Sequence, residues 1–285
     1  LAPALTEAGA PPPRAAAQRW ADLGQRVASA AILAPLALVC LWFGGIAFAL
    51  LIAVGAIGMA LEWVRLCAER PGRPPALALA AGILAAMTAT VAGLPLAALL
   101  ALFVAATLGL CLARAAGRSG LIAAGVPYIG LAAVALLWLR DDPAAGRADL
   151  IFLVLVVWSS DIGAYLVGRW IGGPRLAPRI SPGKTWSGAA GGLIGGCLCG
   201  LAVAHLFVAP SAAPHVIAVA ALLGIVAQAG DLLESQMKRH FGVKDSGRTI
   251  PGHGGLLDRM DGLLTAGPVA ALLALSLGRG VMLWQ

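Results

Sequence analysis

Residues 27–61 read VASAAILAPLALVCLWFGGIAFALLIAVGAIGMAL, a run without one charged side chain. A membrane helix needs about 20 apolar residues to cross about 30 Å of hydrocarbon. The run is too long for one crossing, and Gly44-Gly45 interrupts it near the middle. It reads as two short spans, 27–43 and 46–61, joined by a tight turn. Outward from it the same pattern recurs. Further spans are predicted at Pro75–Gly93, Leu94–Ala113, Ser119–Leu139, Leu150–Val167, Ser187–Ala209, Pro214–Gly230 and Gly262–Leu283. The predicted fold is all-α: a polytopic transmembrane helix bundle of about nine spans, its polar chemistry gathered in cytoplasmic loops.

Composition agrees. Of 285 residues, 60% are apolar and 12% charged, with Gly 37, and the mean hydropathy is +0.90. An average soluble domain is about 45–50% apolar and about 25% charged. These values exclude a disordered chain and a disulfide-rich secreted module. They leave too few charges to cover a soluble body of this size. Abundant small residues let membrane helices approach closely. The net charge of +7 reads as basic loops on one membrane face drawn to anionic lipid, so membrane lipids are expected partners and nucleic acid is not. Cys40, Cys67, Cys111, Cys197 and Cys199 form no CxxC pair and read as small buried hydrophobes. Residues 1–26, with Pro11-Pro12-Pro13, Glu7 and several Arg, read as a flexible cytoplasmic leader and not as a signal peptide. Residues 27–150 form an N-terminal set of spans, and 151–285 hold nearly all the polar chemistry.

Nine spans put the termini on opposite sides. All of the 20 Lys and Arg residues except Arg140, Arg147 and Arg279 then fall on the side of the N-terminus. The positive-inside rule makes that side cytoplasmic.

Two loops on that side stand out. One, Asp231–Asp261, reads DLLESQMKRHFGVKDSGRTIPGHGGLLDRMD. Asp231, Ser235 and Lys238 are spaced i, i+4, i+7, with Glu234 at i+3, so a helix running past the membrane edge presents them on one face. Asp258 and Asp261 are i, i+3 at the entry of the last span. Asp231 and Asp261 border apolar spans, where an unpaired carboxylate is costly. Carboxylates from separate segments suit a hard divalent cation, and Mg²⁺ typically takes one or two of them plus substrate phosphates. Lys238, Arg239, Lys244, Arg248 and Arg259 surround them, and this mixture of signs suits a metal-bound polyphosphate. Pro251-Gly252-His253-Gly254-Gly255 is a loop whose N–H groups can approach an anion closely just before a helix.

The other loop, Gly168–Trp186, is introduced by Asp161 inside the sixth span. Asp161, Tyr165 and Gly168 are again i, i+4, i+7, and an intramembrane Asp needs a partner. Ser181-Pro182-Gly183-Lys184-Thr185-Trp186 can cradle phosphate but lacks the full P-loop spacing. His205 and His215 read as incidental and His240 as solvated. A membrane enzyme that handles a metal-bound polyphosphate fits these groups. A transporter with Asp161 on its pathway is the competing class, which mid-membrane broken helices would favour.

The runs Ser235-Gln236-Met237-Lys238-Arg239, Lys244-Asp245-Ser246-Gly247 and Ile250-Pro251-Gly252-His253-Gly254-Gly255-Leu256-Leu257-Asp258-Arg259-Met260-Asp261 resemble the signature of the phosphatidate cytidylyltransferases (CDP-diacylglycerol synthases). Asp161-Ile162-Gly163-Ala164-Tyr165 and Ser181–Trp186 resemble that family's second recurrent stretch. Gly183 stands where the family pattern has Lys, and Ser187 where it has Glu. The resemblance covers about residues 155–265.

The resemblance implies a nucleotidyltransferase. Such an enzyme converts CTP and phosphatidic acid to CDP-diacylglycerol and pyrophosphate, the first committed step of phospholipid biosynthesis, with Mg²⁺ and in some members a second, monovalent cation such as K⁺. It makes Asp231, Asp258 and Asp261 the metal-binding acids, and with Lys238 and Arg239 they form the expected catalytic set. Expected substrate contacts are Ser235, Lys244, Arg248, His253, Gly254, Gly255, Arg259, Asp161, Ser181 and Lys184. A phosphate monoester is already nucleophilic near neutral pH, so the work is positioning and charge neutralisation. The expected setting is a bacterial cytoplasmic (inner) membrane, crossed many times, with N-terminus and active site cytoplasmic. A homodimer stays an open expectation. A CTP-dependent lipid kinase, releasing CDP, is the alternative within the same class. The expected site is a polar cavity in the cytoplasmic half, walled by the sixth to ninth spans, with Gly191, Gly192, Gly195, Gly196 and Gly200 letting the seventh span pack tightly behind it.

Overall fold

The computed structural model describes residues 31–68, 73–112, 114, 119–207, 213–247, 249–250 and 254–285. The leader 1–26, the start of the first predicted span, Arg248 and His253 lie outside these residues. The helices are α1 (Ala31–Phe43), α2 (Gly45–Cys67), α3 (Arg73–Val91), α4 (Pro95–Leu112), α5 (Ser119–Arg140), α6 (Gly146–Ile171), α7 (Trp186–Phe207), α8 (Ala213–His240) and α9 (Leu257–Leu277). Among the described residues, α2 to α9 are each long and apolar enough to cross a membrane, and α1 is a shorter apolar helix. The predicted all-α bundle is observed. One addition interrupts it: β1 (Arg175–Ala177) and β2 (Ser181–Thr185) form an antiparallel hairpin between α6 and α7.

The helix ends follow local chemistry. Gly44 alone separates α1 from α2, at φ 68°. A Cβ there would also lie 2.5 Å from the Arg140 guanidinium. That guanidinium donates to Leu41 O (2.7 Å) and Trp42 O (2.8 Å), so a cation caps the carbonyl end of α1. The other two basic residues at this end are also engaged. Arg147 sits over the Trp42 ring, and Arg279 lies over Trp138 and pairs with Asp141. Asp142 accepts N–H bonds from Ala144, Ala145 and Gly280. The C-terminal segment folds back here: Leu283 N–H donates to Asp149 (2.9 Å), and the buried Trp284 stacks on Phe152.

Two predicted spans stop short of the real helices. α8 continues ten residues past Gly230 to His240, and α9 begins at Leu257 instead of Gly262. Charges led the sequence reading to end each span early. A helix keeps its backbone hydrogen bonds as it leaves hydrocarbon, so polar side chains do not terminate it. Asp231, Glu234, Asp258 and Asp261 therefore stand on rigid helical turns, as their i, i+3 spacings suggest.

The glycine face of α7 lies against α6 and α8. A Cβ at Gly192 would meet Ser160 O at 2.7 Å, at Gly195 Ser159 O at 3.0 Å, and at Gly200 the Ala220 Cβ at 2.9 Å. Gly163 of α6 reciprocates, with Gly191 O 2.7 Å from its would-be Cβ. Backbones this close leave no room for side chains, the packing mode of small residues in membrane bundles. Gln228 of α8 completes the contact, its amide donating to Ser160 Oγ and Ala189 O. Of the cysteines, Cys67 is buried and Cys111 is exposed, so burial describes the first and not the second.

Candidate active site

The C-terminal ends of α6 and α8, the hairpin, and the N-terminal ends of α7 and α9 meet at one end of the bundle. Between them lies a polar cavity of about 970 Å³, within the usual range for ligand sites. Its walls are α6 to α9, as expected, with the hairpin as an unforeseen rim. Asp161, Ser181, Lys184, Asp231, Ser235, Lys238, Arg239, Lys244, Asp258, Arg259 and Asp261 all line it. Gly254 and Gly255, expected as substrate contacts, are not among the residues that line it. Gly254 bridges Ile250 at φ 89°, and Gly255 N–H donates to Asp258 (2.9 Å).

The acids are held by specific partners. Asp258 accepts from Lys238 Nζ at 2.7 Å, from Ser246 N at 3.0 Å and from Gly255 N. Asp231 pairs with Lys184, carried in by β2, and accepts from Ser235 Oγ at 3.4 Å. Asp261 lies in the electrostatic field of Asp231 and Asp161. Beside it Glu234 is buried, 2% exposed, with its carboxyl against that of Asp261. Lys238 Nζ stands 3.6 Å from Glu234 Oε1. Such a gathering of carboxylates at low dielectric needs positive charge, and Lys184 and Lys238 supply part of it.

The donors suit a hard cation by type, being carboxylate oxygens without His or Cys. Among the described residues no group of three His, Cys, Asp or Glu is placed to hold an ion alone. Mg²⁺ sites commonly use one or two carboxylates and complete their shell with substrate phosphate and water. The donor set therefore fits a cation that arrives with a polyphosphate.

Arg239 does not point its fork into the acids. It donates to Ile180 O (3.2 Å) and Val243 O (3.3 Å), clamping the hairpin turn to the segment after α8. At the hairpin base, Thr185 Oγ1 and Ser187 Oγ are hydrogen-bonded, and Ser187 also donates to Gly172 O. Gly183 faces open space. His205, His215 and His240 are exposed.

A second, apolar cavity of about 620 Å³ adjoins the first, lined by side chains of α1, α2, α5, α6 and α9. Trp158, Ile162 and Arg259 line both cavities.

Sequence reasoning missed Glu62, Gln228 and the apolar cavity. It placed Glu234 on the correct face but gave it no role.

The Cytidylyltransferase family model matches residues 24–277. The chain belongs to the cytidylyltransferase family. It is 45% identical over 257 residues to a phosphatidate cytidylyltransferase of Brucella suis biovar 1 (strain 1330), covering 89% of this chain and 93% of that one. It is 40% identical over 153 residues to one of Staphylococcus saprophyticus, covering 53% of this chain and 57% of that one. With one of Bacillus subtilis (strain 168) the figures are 39% over 153 residues, 52% and 55%. The resemblance read from Ser235–Asp261 is thus a family membership, and the chain is a multi-pass membrane cytidylyltransferase.

Proposed function

We propose that this cytidylyltransferase joins CTP to phosphatidate, forming CDP-diacylglycerol and releasing pyrophosphate. One observation carries the reading: a polar cavity rich in carboxylates and lysines shares a wall with an apolar cavity, and Arg259 stands at the seam. A nucleoside triphosphate fits the first chamber and an acyl chain the second. The lipid phosphate would lie at the seam, where a guanidinium offers two parallel N–H donors.

The reaction needs little covalent help. An oxygen of the phosphate monoester attacks the α-phosphorus of CTP, and the bond from that phosphorus to the bridging oxygen of the β-phosphate breaks. Asp231, Asp258 and Asp261 would hold Mg²⁺, which when bound neutralises the triphosphate and the departing pyrophosphate. Lys238 and Lys184 now pair with two of those acids. With a cation on the acids, both ammonium groups would be released to contact phosphoryl oxygens. The fixed backbone amides around Asp258 keep its carboxylate aimed while this exchange occurs. We place the polar chamber on the cytoplasmic side of a bacterial inner membrane, because the basic side chains crowd its end of the bundle.

Purified protein supplied with CTP and phosphatidate should release pyrophosphate only when Mg²⁺ is present. Release of CDP instead would identify a kinase and overturn the reading. For orientation, Gly183→Cys should resist an impermeant thiol reagent applied to intact cells and react after permeabilisation.

A further inference from the structure

Glu62 belongs to α2, in the half of the chain with almost no polar chemistry, and is 1% exposed. Its carboxylate accepts hydrogen bonds from Leu256 N and Leu257 N, each at 2.9 Å. It also accepts from Thr249 Oγ1, and from Ser246 Oγ at 3.4 Å. Leu256 is the N-cap of α9 and has no capping side chain. A helix start leaves amide donors without intrahelical partners and carries partial positive charge. Glu62 meets both needs from another helix, as Ser or Asp would at an ordinary N-cap.

Neighbouring amides hold Asp258. Gly255 N–H goes to Asp258, and the next two N–H groups go to Glu62. Ser246 donates its N–H to Asp258 and its hydroxyl to Glu62. Two carboxylates from distant segments thus divide the donors of one tight wrap. Glycine makes the wrap possible. A Cβ at Gly247 would lie 2.6 Å from Glu62 Oε1, and one at Gly255 would lie 2.0 Å from Ser246 Oγ and 2.9 Å from Asp258 Oδ2.

We infer that Glu62 is a positioning residue of the active site: it clamps the segment before α9 and thereby fixes the aim of Asp258. This rests on the proposed reading only in giving Asp258 a part in the reaction. Glu62 lines neither cavity, so it acts through the amides and Ser246. Glu62→Gln keeps the shape but replaces one acceptor by an NH₂ group facing backbone donors. Glu62→Asp keeps the charge but withdraws it by one methylene.

The test compares wild type, Glu62→Gln and Glu62→Asp in detergent, by hydrogen–deuterium exchange and by pyrophosphate release at graded Mg²⁺. Losing a hydrogen bond to a charged group should speed amide exchange around 254–260 by about tenfold or more, with the middle of α6 unchanged. The Mg²⁺ concentration for half-maximal turnover should rise about as much, and Glu62→Asp should recover part of both. Unchanged exchange around 254–260 in Glu62→Gln would overturn the clamp. So would equal acceleration in α6, which would make Glu62 a general core residue. Faster local exchange with unaltered turnover and Mg²⁺ requirement would overturn its positioning role. A wild type that releases no pyrophosphate would count against the cytidylyltransferase reading alone, and the exchange comparison would still decide the clamp.

Discussion

Lys238 Nζ stands 2.7 Å from Asp258 Oδ1, bonding the last turns of α8 to the first turn of α9. Their side chains are only 13% and 8% exposed. The same ammonium group also stands 3.6 Å from Glu234 Oε1. Lys238→Met removes it and leaves both carboxylates without this cation. Breaking a buried pair from one side costs about 3–5 kcal/mol. Turnover should fall by at least about a hundredfold, and the melting temperature in detergent should drop. Wild-type activity in Lys238→Met would remove the ammonium from the mechanism.

Asp231→Asn and Asp258→Asn test the proposed cation acids. Each should abolish pyrophosphate release while the thermal transition stays cooperative. Asp231→Asn should leave Lys184 without its carboxylate partner, and raising Mg²⁺ should not rescue it. Full activity in either variant would take that residue out of the site.

Arg239 bonds two backbone carbonyls at once, Ile180 O on the hairpin side and Val243 O beyond α8. Lysine keeps the charge but not the fork. Arg239→Lys should therefore raise the KM for CTP and speed proteolysis in the hairpin, with a smaller change in kcat. If hairpin proteolysis and KM both stay put, the clamp is dispensable.

Gly192→Ala should be poorly tolerated although the residue lines neither cavity. Its Cβ would lie 2.7 Å from Ser160 O and 2.8 Å from Gln228 Nε2. Overpacking of this kind costs about 1–3 kcal/mol, and relief requires α6 and α7 to part. Both melting temperature and activity should fall, since Asp161 rides on α6. Gly120→Ala, in open space on α5 and lining neither cavity, is the matched control and should leave both unchanged.

The far end of the bundle carries a pH dependence. Burial pushes the Asp142 carboxyl up, but N–H bonds from Ala145, Gly280 and Ala144 and the nearby Arg279 charge outweigh it and hold it below its ordinary 3.8. A depressed carboxylate contributes stability that is present above its unfolded value and lost as pH falls through its folded one. The melting-temperature gap between wild type and Asp142→Asn should therefore be largest near neutrality and close below about pH 3.8. A gap that widens toward acid would contradict this.

The helices were legible because hydrocarbon demands long charge-free runs, and few other folds contain them. Asp231 and Asp261 were legible as cavity residues because a carboxylate beside an apolar span needs a reason to be there, and Asp258 through its i, i+3 spacing from Asp261. Glu62 was not, since its partners lie 184 to 195 residues away and a lone acid beside Trp63 carries no local pattern. The hairpin escaped notice because Ser181-Pro182-Gly183-Lys184-Thr185 lacks alternation and contains two residues that strands avoid. Its base is tied by contacts such as Ser187 to Gly172 O, which no spacing rule encodes. Arg239 was readable as a nearby cation, but its choice of carbonyls over carboxylates is a tertiary outcome.

The wall shared by the two cavities, formed by Trp158, Ile162 and Arg259, makes the proposed enzyme answer to two different concentrations. Nucleotide arrives from a volume and is counted per litre. A lipid seated across that wall arrives from a surface and is counted as a fraction of its neighbours. Adding inert lipid or detergent at fixed total phosphatidate would then slow the enzyme without any change in bulk composition of the reactants. In a cell, the rate would follow the crowding of the leaflet rather than the amount of lipid in it.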